Sequence, residues 1–292
     1  MKKIVILGCE NSHADQFLNF ITKMPEYSDV EVAGIYSDDL PAAERLAKIF
    51  GVKIMENYDS DVGELDGVII TARHGDNHLK YALPYIKKGI PMFIDKPITI
   101  DEEEAITLGN LLKENSVRVS GGSSLAKEEF VCSLAEDAKL ERGGKTVGGI
   151  IRAPMDNDER YGGLFFYAQH LCEMVMKIFG RYPNSVWAVE CKDQINVTFR
   201  YDDYDINGLF VKKNYHYFAC RFSETESCAK TLNLRESNCF KTEFKNFYDL
   251  LEGGEMEMSY TDFIAPVFVM NALVRSLESG KVEEIRRYSF DA

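Results

Sequence analysis

The chain has 292 residues, 45% of them hydrophobic and 28% charged, with a formal net charge of −13. That is a globular composition, long enough for two domains at roughly 150 residues each. The acidic balance argues against sequence-independent binding to nucleic acid or anionic membrane surfaces, and no apolar run reaches the roughly 20 residues of a membrane helix.

Met1-Lys2-Lys3 leads at once into a short apolar strand, a start unlike a secretory leader. The seven cysteines include no C-x-x-C pair, and an odd, scattered set suits reduced thiols, so a cytoplasmic protein is expected. Lys3–Gly8 reads as the first strand and Ala14–Lys23 as a helix. Glu31–Ser37 follows as a strand, then Pro41–Phe50 as a helix stopped by Gly51. Gly67–Thr71 is a third strand, Asn77–Lys88 a helix closing on Gly89, and Pro91–Asp95 the next strand. The acidic helix start Asp101-Glu102-Glu103-Glu104 suits the helix dipole, and Val117–Ser120 is strand-like. Strands apolar on both faces and separated by helices indicate a doubly wound parallel sheet.

From about Ala126 the pattern changes. A helix over Ala126–Leu140, a strand over Thr146–Arg152 and a helix over Leu164–Phe179 are expected. Five strand-like runs follow, Ser185–Cys191, Gln194–Tyr201, Asn207–Lys212, Tyr215–Phe222 and Lys230–Leu234, with short polar turns between them. They suggest an antiparallel meander. Helices near Glu243–Glu252 and Thr261–Ser279 finish the chain. The expectation is a division into residues 1–124, α/β, and 125–292, an α+β domain with a large, mostly antiparallel open sheet. A sheet bare on one face would be covered by its twin in a homodimer or homotetramer.

Ile94-Asp95-Lys96-Pro97-Ile98 is the most informative stretch. Ligands of open α/β sheets bind beyond the carboxyl ends of the strands, and here a lysine stands at such an end. Pro97 fixes its own φ and pushes Lys96 toward an extended backbone.

The doubly wound half, the acid-Lys-Pro tripeptide after its fifth strand and the antiparallel second half together resemble one family. It is the glucose-fructose oxidoreductase, inositol dehydrogenase and MocA-like family of NAD(P)-dependent sugar and polyol dehydrogenases. Thr71 stands where the family has Thr-Pro, followed by a helix carrying His78. Asp95-Lys96-Pro97 matches its Glu-Lys-Pro, and Gly162-Gly163 with His170 matches its glycine-rich helix bearing a catalytic histidine. The resemblance implies a Rossmann-type dinucleotide-binding domain followed by a substrate and oligomerisation domain. It implies catalysis by Lys96 and His170, and cofactor contacts from Gly8, Glu10, Ser12, His13, Ser37, Asp38, Thr71, His78, Asp95 and Lys96.

The chain departs from the family in three places. Gly8-Cys9-Glu10-Asn11-Ser12-His13 keeps only the first glycine of G-x-G-x-x-G, and Glu10 would repel phosphate if it pointed at the pyrophosphate. The helix N-terminus and Ser12 still offer donors there. Ser37, with Asp38 beside it, replaces the acid that holds the ribose 2′-OH; no arginine or lysine follows closely, which favours NAD slightly over NADP. Phe166 and Ala168 occupy the aspartate and glycine positions of D-x-G-x-H, so Arg160, Tyr161 and Tyr167 become the candidates to orient substrate. His13 also reads as a residue packing on the sheet, and the loop Arg73-His74-Gly75-Asp76 as a second candidate contact.

The expected function is hydride transfer between nicotinamide and a sugar, polyol or related small carbonyl or alcohol. The alternative is a catalytically degenerate sensor or scaffold that binds a dinucleotide or sugar. A lyase that reduces and reoxidises its cofactor within each cycle is the third possibility. No metal is expected, because His170 and Cys172 point apart on their helix and no metal-ligand spacing appears elsewhere.

Overall fold

The computed structural model describes residues 1–155, 159–212, 215–233 and 237–290. The chain divides into two compact units, one of Met1–Thr99, Glu103–Gly122 and Phe240–Tyr260, the other of Ile100–Glu102, Ser123–Cys239 and Thr261–Ala292. A single cut after residue 124 does not describe this division, because the segment 240–260 returns to the first unit.

In the first unit β1 (Lys2–Leu7), β2 (Val30–Tyr36), β3 (Gly67–Ile70), β4 (Met92–Asp95) and β5 (Val119–Gly122) form a parallel sheet ordered β2-β1-β3-β4-β5. Ile4 to Leu7, Val68 to Ile70 and Met92 to Ile94 are all without solvent exposure, as strands covered on both faces must be. Helices α1 (Ser12–Lys23), α2 (Leu40–Phe50), α3 (Asp76–Ile86) and α4 (Glu102–Glu114) make the connections. The strand order reverses between β1 and β3, and their carboxyl ends open the crevice that such sheets use for ligands. Asp95-Lys96-Pro97 follows the fourth strand of this sheet and not a fifth. The segment after α2 makes a single bridge, Ile35 to Ile54, before the polar Glu56 and Asn57.

The second unit holds α5 (Glu129–Lys139), β6 (Thr146–Met155), α6 (Phe165–Phe179), β7 (Ser185–Cys191), β8 (Gln194–Arg200), β9 (Asp205–Lys212), β10 (His216–Ser223) and β11 (Ser227–Asn233). Helices α7 (Cys239–Leu251) and α8 (Tyr260–Ser279) and the short β12 (Glu283–Glu284) close the chain. The helix expected over Ala126–Leu140 is split, because Glu128 is extended at φ −65° and ψ 143° between a 3₁₀ turn and α5. The large sheet runs β11-β10-β6-β9-β8-β7-β12. Only β7-β8-β9 is a meander; β6 is inserted between β10 and β9 and pairs with β9 in parallel. Leu234, the end of the last expected strand, lies outside the described residues.

Strands β8 and β9 alternate between buried and more exposed residues, which defines one covered face and one open face. Leu171 and Phe179 of α6 cover Gly208 and Gly149. On the open face Trp187 and Val189 are 42% and 41% exposed. Where β12 ends, the edge of β7 is protected differently: the Ala188 N–H donates to Ser276 Oγ of α8 at 2.9 Å.

Helix α7 carries Phe244 and Phe247 into the core of the first unit. The Phe244 ring stands 4.7 Å from that of Tyr27 and 5.2 Å from that of Phe17, which meets Phe93 edge-on at 5.0 Å. Gly67 permits the approach, because a Cβ there would lie 2.6 Å from Leu251 Cδ2 and 2.9 Å from Phe247 Cζ. Among the described residues no helix is long and apolar enough to cross a membrane.

Candidate functional site

The turn after β1 is built around Gly8. Its φ of +95° suits glycine, and a Cβ would fall 2.1 Å from the Ala72 nitrogen. Its N–H donates to the Tyr36 carbonyl at 2.7 Å, and its carbonyl accepts Thr71 Oγ1–H at 2.7 Å. Thr71 is fully buried, so its side chain holds the turn to β3. The Glu10 carboxylate is tied to three donors: the Cys9 amide at 2.8 Å, the Arg73 amide at 2.8 Å and Ser37 Oγ at 2.5 Å. It is therefore bound across the ends of β1, β2 and β3, away from the helical amides that would take a pyrophosphate. The first turn of α1 leaves amide donors without intrahelical partners. The Asn11 side chain caps one, that of His13. Gly8, Ser12 and these amides fit a dinucleotide, with Ser12 exposed at the helix start.

At the end of β2, Ser37 is 7% exposed and Asp38 is half exposed. Asp38 accepts the Tyr36 hydroxyl at 2.7 Å and pairs with Lys80 of α3 at 3.4 Å. Partial burial works against its ionisation, yet hydrogen bonds from Tyr36 and Tyr81 and the Lys80 charge hold it below the ordinary carboxylate range. No arginine or lysine follows Ser37 closely in the sequence, but Lys80 reaches Asp38 from a helix distant in sequence.

Lys96 lies at the carboxyl end of β4, 2% exposed, with a cis peptide to Pro97. Burial pulls its pKa down from 10.5 to about 8; Asp95 and Glu243 oppose that shift, and Arg73 adds to it. The Asp95 carboxylate is completely buried and well equipped with donors. Its Oδ1 accepts the Lys96 amide at 2.7 Å and its Oδ2 accepts Asn11 Nδ2–H at 2.5 Å. His13 lies between two carboxyl groups, with Nδ1 3.1 Å from Asp95 Oδ2 and Nε2 3.0 Å from Glu243 Oε2. A neutral imidazole carries one N–H, so both contacts are hydrogen bonds only if the cluster holds one further proton. Burial lowers the imidazole to about 4 and raises Asp95, which places that proton on a carboxyl group.

The rings of His13 and His78 are both buried. His13 is 3% exposed, and its ring packs 4.7 Å from Phe240 and 5.8 Å from Phe17. His78 is fully buried between the carbonyls of Ala72 at 2.8 Å and Ile98 at 3.2 Å, and burial lowers its pKa to about 4. It joins the loop after β3 to the loop after β4. Asn11 and Glu243 were not among the candidates. Glu243 had a signal in the sequence, as a carboxylate within the Phe240, Phe244, Phe247 stripe of α7.

In the second unit His170 is 6% exposed, with Nδ1 2.6 Å from Ser123 Oγ. That contact holds the ring through Nδ1. Glu173, one turn on, accepts the Ser123 amide at 2.9 and 3.0 Å and is also bonded by Gln169. Ser123 is thus a second residue the sequence did not disclose. Tyr167 belongs to the same cluster, its ring 6.3 Å from His170 and 6.4 Å from Tyr215. Phe166, in the aspartate position, is 8% exposed, and Ala168 is buried. Arg160 is exposed and stacks over Tyr161 at 5.4 Å, in the 3₁₀ turn before α6.

Residues 2–123 match an oxidoreductase family with an NAD-binding Rossmann fold. The matching model is that of the glucose-fructose oxidoreductase, inositol dehydrogenase and MocA-like proteins, to which this part of the chain is similar. A glucose-6-phosphate 3-dehydrogenase of Bacillus subtilis is 31% identical over 125 residues, 42% of this chain and a third of that relative's length (33%). The whole chain shares its fold with scyllo-inositol dehydrogenase from Lactobacillus casei, solved with NAD(H) and scyllo-inositol. The TM-score is 0.84 at 14% identity, over 97% of this chain and 99% of that one. Myo-inositol 2-dehydrogenase from Lactobacillus plantarum gives 0.83 at 13% identity, over 98% and 99%.

Proposed function

We propose that the chain is an NAD(P)-dependent oxidoreductase acting on CH–OH groups of a sugar, polyol or related small carbonyl or alcohol. The observation that carries this reading is Lys96, a buried lysine with its pKa drawn down to about 8 at the carboxyl end of a parallel strand. An amine so placed holds and releases a proton near neutral pH. When bound, the dinucleotide supplies the hydride acceptor or donor. Lys96 polarises the substrate oxygen and relays its proton. His170 gives or takes that proton, with Ser123 fixing its ring through Nδ1. Arg160, Tyr161 and Tyr167 orient the substrate in place of the missing aspartate.

Gly8, the α1 amides, Ser12, Ser37 and Asp38 hold the cofactor, and the acids around β2 favour NAD over NADP. The relatives that act on glucose 6-phosphate and inositols support the substrate class. The half-exposed face with Trp187 and Val189 supports a homodimer or homotetramer through the large sheet. The working place of such an enzyme is the cytoplasm. A screen of NAD⁺ and NADP⁺ reduction over sugars and polyols tests the reading. At least one substrate is expected to turn over, and Lys96→Ala is expected to abolish it; a Lys96→Ala variant with full turnover contradicts the assignment. Phe166 and Ala168 in the aspartate and glycine positions favour a second reading, a sensor that binds ligand without hydride exchange.

A further inference from the structure

We propose that Glu10, from the turn after β1, takes over the reading of the adenosine ribose that the residue ending β2 performs in other dinucleotide-binding sheets, and so makes this chain selective for NAD. The inference rests on the NAD(P)-binding reading above. A dinucleotide fold needs a carboxylate at the end of its second strand to accept from the ribose 2′-OH. Here that position is Ser37, which is nearly buried and can supply no charge. Its Oγ–H instead donates to Glu10 Oε2 at 2.5 Å, which brings a carboxylate to the same strand end from a different segment.

The Cys9 amide also donates to Oε2, and the Arg73 amide to Oε1, both at 2.8 Å. A carboxylate has about four lone-pair positions. Three are used, and the remaining one, on Oε1, suits a hydroxyl donor. Glu10 is partly exposed, so a ligand can reach it. Two of its three holding donors are backbone amides and the third a short side chain, so the carboxylate is fixed before any ligand arrives.

The charge also discriminates. A 2′-phosphate would meet Glu10, with Asp38 close by on the same strand end, and Lys80, which reaches that end, is already paired with Asp38 at 3.4 Å. A diol is accepted where a phosphate monoester is repelled.

Calorimetric titration of the full-length protein with NADH and with NADPH tests this, using wild type, Glu10→Gln and the double variant Glu10→Gln/Ser37→Asp. Thermal melts check that each variant is folded. The wild type is expected to prefer NADH. Glu10→Gln is expected to bind NADH about tenfold more weakly, as for loss of one hydrogen bond to a charged group, and to lose its discrimination against NADPH. The double variant, with an acid restored to the strand end, is expected to recover the preference. An unchanged NADH to NADPH ratio in Glu10→Gln overturns the inference while leaving the oxidoreductase reading intact. So does tighter binding of both cofactors, which would make Glu10 an obstruction. If Glu10→Gln fails to fold, Glu10→Ala serves instead, and an unchanged ratio there has the same meaning. A wild type that binds neither cofactor overturns the inference and the oxidoreductase reading together.

Discussion

Two ionisable groups, Lys96 and His13, are buried in the first unit, and burial lowers the pKa of both. Lys96 is desolvated yet still charged at neutral pH, because Asp95 and Glu243 offset part of the burial that brings it to about 8. As a base it is active when neutral. The kcat/KM for alcohol oxidation is therefore expected to rise with pH through about 8 and to level above it, a limb that steady-state rates across pH would trace. A profile flat from pH 6 to 10 would remove Lys96 from the proton path. For His13 the same burial goes further and keeps it neutral down to about 4 while it separates two carboxyl groups. Replacing it with alanine removes the imidazole from both carboxyl groups in the core. His13→Ala is expected to lose about 3 kcal/mol or more of stability in urea denaturation. A loss below about 1 kcal/mol would show that the cluster is not held by the imidazole.

Much of the fold was legible because apolar periodicity and glycine punctuation are local signals. The strands of the first sheet and the stop at Gly51, with its φ of +70°, are read directly from residue pattern. Three features were not legible, for related reasons. The insertion of β6 between β9 and β10 depends on pairing across 50 or more residues, which no local run encodes. The return of α7 to the first unit depends on aromatic packing across the whole chain. The direction of the Glu10 side chain depends on Ser37 and Arg73, brought together only when the sheet forms. Helix α7 supplies its own test. Phe244→Ala removes a fully buried ring that contacts Tyr27, Phe17 and Phe20, and is expected to destabilise by about 3–5 kcal/mol in chemical denaturation. A change under about 1 kcal/mol would mean that α7 does not pack on this core.

For the molecule as a whole, the open face of the large sheet and the chemistry proposed at the carboxyl ends of the parallel strands lead to separate expectations. If a second copy covers that face, Trp187→Glu with Val189→Lys should shift the mass measured by light scattering after gel filtration to that of a 33.2 kDa monomer. A wild type already monomeric at high concentration would refute the assembly. The central claim is hydride transfer itself, and isotope tracing tests it most directly. With a substrate from the screen deuterated at the reacting carbon, the account predicts deuterium at nicotinamide C4 by NMR, lost in Lys96→Ala. Cofactor that binds but never acquires deuterium, with no polyol or sugar consumed, would contradict it and leave the sensor reading in its place.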